Sequence, residues 1–324
     1  MSQNETRIEE QIEEQIIIER KKDYLIPASI VLAALIIAFA WIYTTGYNSI
    51  QSRPGSTSAG KQSEKNIAQA IELPVKWGNL GAQMVAAGVI DRARLEALYA
   101  QRGGLTDYEK QLLDGSSGKI TVTPANSGFI LNLFWALGLS NKNDVLEKGP
   151  MTDPRYGGAG QFASTGGWTI AKGGAMDHYS QHSFVTLAKQ QQELVERVAK
   201  NIYRPCCNNS TYFPDCNHGM AMLGLLELLA SQGVSEDQMY QAALQMNALW
   251  FPQQYAVIAN YLASKGQTLS SADPKEILGI NYSSASGFRQ ISALVPQTNS
   301  QGENGSGCGL GEQQQTQKSS GCGI

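Results

Sequence analysis

The chain has three histidines and five cysteines in 324 residues. All three histidines (His178, His182 and His218) and three of the cysteines (Cys206, Cys207 and Cys216) fall between positions 178 and 218. Thiolates and imidazoles are the soft and borderline ligands for zinc, copper and iron–sulfur centres, so this clustering points to a metal or thiol site. Its densest part is RPCCNNSTYFPDCNHG, from Arg204 to Gly219. Cys206 and Cys207 are neighbours, and their side chains diverge unless the backbone turns. Asn208-Asn209 supplies that turn chemistry. Cys207-x8-Cys216-x-His218 matches neither of the common zinc spacings, so the spacing does not name an ion.

Cys216 stands just before an apolar run. With Asp215 as the N-cap of a helix, Cys216 is its first residue and His218 its third. A helix N-terminus lowers the pKa of a thiol and favours the thiolate. Three chemistries fit such a residue. It can ligate zinc or copper, together with Cys206, Cys207 and His218, which is the leading expectation. It can form a disulfide to Cys206 or Cys207 that staples the loop to the core. It can also act as a redox or hydrolytic thiol beside a histidine, though no C-x-x-C and no acid partner accompany it. Five cysteines is an odd number, so at least one is free, metal-bound or paired with another chain.

His178 and His182 are second-choice ligands. On a helix from His178 to Tyr203 they stand at i, i+4 and share a face. That face also carries Lys189, Glu193, Glu196 and Lys200, opposite the apolar stripe of Phe184, Leu187, Leu194, Val195, Val198 and Ile202, so two solvated histidines are the competing expectation.

Other signatures are weak. Residues 149–175 contain eight glycines but neither a phosphate-loop nor a dinucleotide fingerprint. Ser164 and Thr165 lack a nucleophile elbow. The methionines at 220, 222, 239 and 246 sit at helical spacing among leucines, as core residues do. Net charge is −3, and Arg20-Lys21-Lys22 is the sole basic cluster, so no nucleic-acid partner is expected.

The elements that must position these residues follow a membrane segment. Leu25 to Tyr43 is 19 residues without a charge, about the length that a bilayer core requires. Tyr24, Trp41, Tyr43 and Tyr47 flank it as interfacial anchors do, and the preceding basic cluster places the N-terminus in the cytoplasm. Residues 1–23 then form a cytoplasmic charged lead helix, whose Ile8, Ile12 and Ile16 could face a protein partner. Residues 24–45 are the transmembrane anchor and 46–63 a flexible linker. Residues 64–295 form a helical extracytoplasmic domain, and 296–324 a disordered Gly/Gln/Ser tail with Gly-Cys-Gly units at Cys308 and Cys322.

The expected fold is therefore mostly α, a single N-terminal transmembrane helix followed by an irregular all-α extracytoplasmic domain. Within it, helices are expected over Trp77–Ala87, from Asp91 to about Gln101, after a Thr106–Glu109 capping box, from Pro124 to Gly138, over 178–203 and over Met220–Ala230, stopped by Gly233. Further helices follow Ser235 and Pro252, start at Asp273-Pro274 and cover 285–295. One brief strand is expected at Lys119–Thr123, and a small hairpin around Trp168.

Overall fold

The computed structural model describes residues 70–295. The lead helix, the expected membrane segment at 25–43, the linker, the C-terminal tail and Cys308 and Cys322 all lie outside the described residues. Among the described residues, no helix is long and apolar enough to cross a membrane.

The described chain is mostly helical, with one two-stranded antiparallel sheet. Strand β1 (Ile71–Gly78) pairs with β2 (Ser117–Val122). Between them lie α1 (Leu80–Ala86), α2 (Arg92–Ala100) and α3 (Asp107–Asp114). The Asp91 cap and the Thr106–Glu109 capping box form as expected. The helix expected from Trp77 does not begin there. Leu73, Val75 and Trp77 alternate inward along a strand, and Trp77 donates its indole N–H to the Leu112 carbonyl at 2.8 Å. Pro74 falls inside the register shift between Glu72 and Lys76. A proline, having no N–H to give, is tolerated at such an irregularity of an edge strand. The domain is therefore not all-α.

Helix α4 (Ser127–Ser140) and helix α8 (Asn217–Ser231) form the centre. Nearly every side chain of both is buried, so each is apolar all round, as central helices are. α4 does not stop at Gly138. A Cβ there would overlap the Met220 carbonyl oxygen, and one at Gly224 would overlap the Phe134 carbonyl oxygen. These two glycines let the two backbones approach directly. Gly138 is thus a packing residue inside the helix rather than a terminator.

Helix α5 (Asp144–Lys148) follows, then a run of single 3-10 turns and the short α6 (Ala163–Gly166). This is the irregular glycine-rich segment expected at 149–175, without a hairpin at Trp168. Trp168 is instead buried, stacks edge-on against Trp135 and donates to the Val89 carbonyl.

The long helix expected from His178 is confined to α7 (Lys189–Ala199). Residues 178–182 serve the end of α4 instead. Ser180 N–H donates to Leu139 O, His182 N–H to Ser140 O, and Lys142 N–H to His182 O. The first two of these bonds satisfy terminal carbonyls that the helix itself leaves unpaired. Ser180 takes a left-handed φ of 54° there, and its hydroxyl bridges Asn143 N–H and Glu147.

After α8 come α9 (Glu236–Trp250), opened by the Ser235–Gln238 capping box, and α10 (Pro252–Ser264), with Pro252 in the favoured first position. Short α11 (Pro274–Leu278), α12 (Ile280–Ser283) and α13 (Ala285–Leu294) close the described chain.

Candidate metal centre

The cysteine loop is held at both ends. Tyr203 N–H donates to Leu278 O, and Thr211 N–H to Ile202 O. In the middle, Ala285 N–H bonds to Cys207 O, and Ser286 N–H to the Asn208 side chain. A turn from Arg204 O to Cys207 N–H bends the backbone so that the neighbouring thiols converge rather than diverge. The third thiol arrives on the rigid central helix. Cys216 is itself the N-cap of α8, one position later than expected of Asp215, and its Sγ accepts from Gly219 N–H at 3.4 Å. Asp215 is drawn elsewhere. Its carboxylate accepts from Arg204 Nη2 at 3.3 Å and from Asn209 Nδ2 at 2.7 Å.

The three sulfurs form a nearly equilateral triangle. Cys206 lies 3.9 Å from Cys207 and 3.7 Å from Cys216, and Cys207 lies 3.9 Å from Cys216. Tetrahedral zinc with bonds of about 2.3 Å has S···S edges of about 3.8 Å. The thiols are thus spaced as ligands of one ion. No disulfide joins the three described cysteines, so the alternative of a staple from Cys206 or Cys207 to Cys216 is not formed.

His218 completes one side. One of its ring nitrogens lies within 4.8 Å of both the Cys206 and Cys216 sulfurs. Its Nδ1 is buried without a hydrogen-bond partner, and its ring is packed 4.4 Å from Phe251 and 6.1 Å from Trp250. Burial pushes its pKa down to about 4, which keeps the imidazole neutral with a lone pair available. Cys207, Asp215 and Cys216 make a second set of ligand atoms within 4.8 Å of one another, so Cys206, Cys207, Cys216, His218 and Asp215 together can hold a metal ion.

One participant carries no ligand signature. Arg204 is wholly buried. Its Nη2 lies 3.0 Å from Cys207 Sγ and 3.4 Å from Cys216 Sγ, as well as against Asp215. Burial alone would lower its pKa, but the charges on Cys216, Cys207, Cys206 and Asp215 raise it well above the ordinary value. Gly219 makes room for it. A Cβ there would stand 2.7 Å from Nη2 and 2.8 Å from Cζ. The sequence signal for Arg204 is faint. It is an arginine two residues before a cysteine pair, followed by a glycine on the first turn of the apolar helix.

These contacts divide the charge among the thiols. Hydrogen bonds from Cys206 and Cys207, aided by Arg204 and opposed by burial, hold the Cys216 thiol well below its usual range. At Cys207 a bond from Cys206 pulls down, but bonding to Cys216 and burial outweigh it and push the thiol up to about 12. Asp215 is raised by burial and by the charge on Cys216. The cluster therefore favours a thiolate at Cys216 over one at Cys207.

His178 and His182 are brought together, but not with the cysteines. His178 Nδ1 lies 3.1 Å from His182 Nε2, and the rings stack at 5.3 Å. A loop makes this pair, not the expected i, i+4 helix face. His178 Nε2 faces the Lys172 carbonyl at 2.9 Å. That carbonyl only accepts, so Nε2 carries the proton. Among the described residues neither histidine joins a group of three or more metal-ligand atoms.

Compared with known proteins, the chain matches no protein-family model, no curated protein and no solved structure.

Proposed function

We propose that this chain holds a single transition-metal ion, zinc or copper, with Cys206, Cys207, Cys216 and His218 as its ligands. The observation that supports this most is the sulfur triangle, with edges of 3.7, 3.9 and 3.9 Å, together with a His218 ring nitrogen within 4.8 Å of two of its sulfurs, on a ring whose Nδ1 is buried without a partner. A buried polar atom without a partner is costly, and an ion bound there would supply one. Arg204 fits the arrangement as the donor that metal-bound thiolates usually have around them. His178 and His182 are not part of this ligand set.

The test is the metal content of the purified full chain. Zinc or copper is expected near one equivalent in the parent, with at least a tenfold lower affinity in Cys216→Ser, a loss of about 1.4 kcal/mol or more. Equal metal content in the two proteins would show that the ion is held elsewhere.

A second reading rests on a different observation. Cys216 is the preferred thiolate of the cluster, capped by Gly219 N–H and faced by Arg204. A thiolate of that kind also suits a thiol-dependent enzyme, redox or hydrolytic. This reading expects faster alkylation of the native protein by iodoacetamide at pH 6 than of free cysteine, whereas the metal reading expects protection that a chelator removes.

The proposal includes the place where the site works. Residues 25–43 anchor the chain in the membrane with the N-terminus in the cytoplasm, and the Cys/His domain stands outside. The expected outcome is that the full chain stays with the membrane after alkaline carbonate washing, and that protease added to intact cells digests the domain. Release of the intact chain by carbonate would remove the anchor from the account.

A further inference from the structure

Two ligand sets overlap at the site. Cys206, Cys216 and His218 form one, Cys207, Asp215 and Cys216 form the other, and Cys216 belongs to both. A shared thiolate between two such sets is the arrangement that lets sulfur bridge a pair of ions. The Arg204 guanidinium stands in the second set. Its Nη2 donates to all three members, to Cys207 Sγ at 3.0 Å, Asp215 Oδ1 at 3.3 Å and Cys216 Sγ at 3.4 Å.

Resting on the metal-binding reading above, we infer that Arg204 is the protein's own cation in the second ligand set, and that it restricts the cluster to one metal ion, placed on the Cys206, Cys216 and His218 side with Cys207, 3.9 Å from both other sulfurs, as its fourth ligand. Arg204 is then a specificity-determining residue. It sets how many ions the thiols accept and which face they use.

Three observations support the assignment. The guanidinium cannot lose its proton in a protein, so it is a permanent positive charge that does not vacate the set as pH changes. It is wholly buried, and a buried charge persists only where it is paired; here the partners are the thiol cluster and the Asp215 carboxylate. It is also closely fitted. Nη1 reaches Thr211 Oγ1 at 3.5 Å, and the missing side chain of Gly219 is the space it fills. His218, by contrast, belongs to the other set, and its Nδ1 has no internal donor or acceptor.

The experiment counts Cd2+, a soft divalent probe, bound per full chain by native mass spectrometry in detergent. Cys308→Ser and Cys322→Ser are present throughout, so that the tail thiols take no part. The parent is expected to bind one Cd2+. Arg204→Met, of similar length and uncharged, is expected to bind two, because the emptied set becomes a second site. Arg204→Lys keeps a cation and is expected to stay at one. Where Arg204→Met fails to fold without an ion, two Cd2+ are expected to restore the parent's helical circular dichroism, since they replace the lost charge.

A parent that binds two ions overturns the inference. So does an Arg204→Met chain that folds and binds one, an Arg204→Lys chain that binds two, or an unfolded Arg204→Met chain that Cd2+ does not rescue. In each of those cases the parent still binds Cd2+, so the metal-binding function stands. A parent that binds none defeats that function itself.

Discussion

His218 is neutral through the physiological range because burial holds its pKa to about 4. In the unfolded chain the same side chain titrates near 6.5. Its folded pKa is depressed, so the stability it contributes is present above about pH 6.5 and is lost as pH falls toward about 4. Urea denaturation of ion-free protein at several pH values should show this loss in the parent and a smaller one in His218→Gln. Identical pH slopes for the two proteins would mean that another group is responsible. The other site residues were unequally legible. Cys206, Cys207, Cys216 and His218 announced themselves by rarity and proximity in the chain. Arg204 did not, because an arginine is ordinarily a surface residue, and only the fold reveals that Thr211, Asp215, Gly219 and two sulfurs enclose it. The pairing of His178 with His182 was visible, but the i, i+4 spacing suggested a helix where a loop does the work. The backbone groups of His182 bond to the end of α4, a contact between distant segments that no local spacing encodes.

Helix α8 is the element on which the site depends. It brings Cys216 and His218 on its first turn, while Gly224, further along, presses its backbone against α4. Replacing Gly224 by alanine puts a Cβ into the Phe134 carbonyl and close to Gly138 N. Backbone cannot swing aside as a flexible side chain does, so the helices must separate. The expected destabilisation is about 1–3 kcal/mol, with a parallel loss of metal affinity because α8 carries two of the four ligands away from the loop that carries the other two. Unchanged denaturation midpoints would show that the two helices do not meet at this glycine. At this scale the strong local signals held, namely the Asp91 cap, the capping boxes at Thr106 and Ser235 and the prolines at 252 and 274. The signals that failed were those with two meanings. Gly138 reads as a helix stop and is a packing contact. Trp77 reads as the start of a helix, and the strand before it was hidden because Pro74, which has no N–H to give to a ladder, argues against a strand although the inward alternation of Leu73, Val75 and Trp77 is intact.

Across the whole chain, a mostly helical domain was legible from composition and period, and it is what residues 70–295 adopt. The small sheet was half visible. β2 stood out as an alternating segment, whereas its partner β1 lies some 40 residues earlier (Lys76 pairs with Lys119), beyond the reach of local pattern. Convergence of the ligands belongs to this scale too. It requires the 204–207 turn, the ends of α7 and α8 and the segment from Leu278 to Ser286 all to be in place, since each of them holds the cysteine loop.

Zinc-edge X-ray absorption on the zinc-loaded full chain examines that convergence directly. The account predicts a first shell of three sulfurs at about 2.3 Å and one nitrogen at about 2.0–2.1 Å, with the sulfur contribution falling in Cys216→Ser. A first shell of oxygen and nitrogen alone, or one that is the same in both proteins, would contradict it.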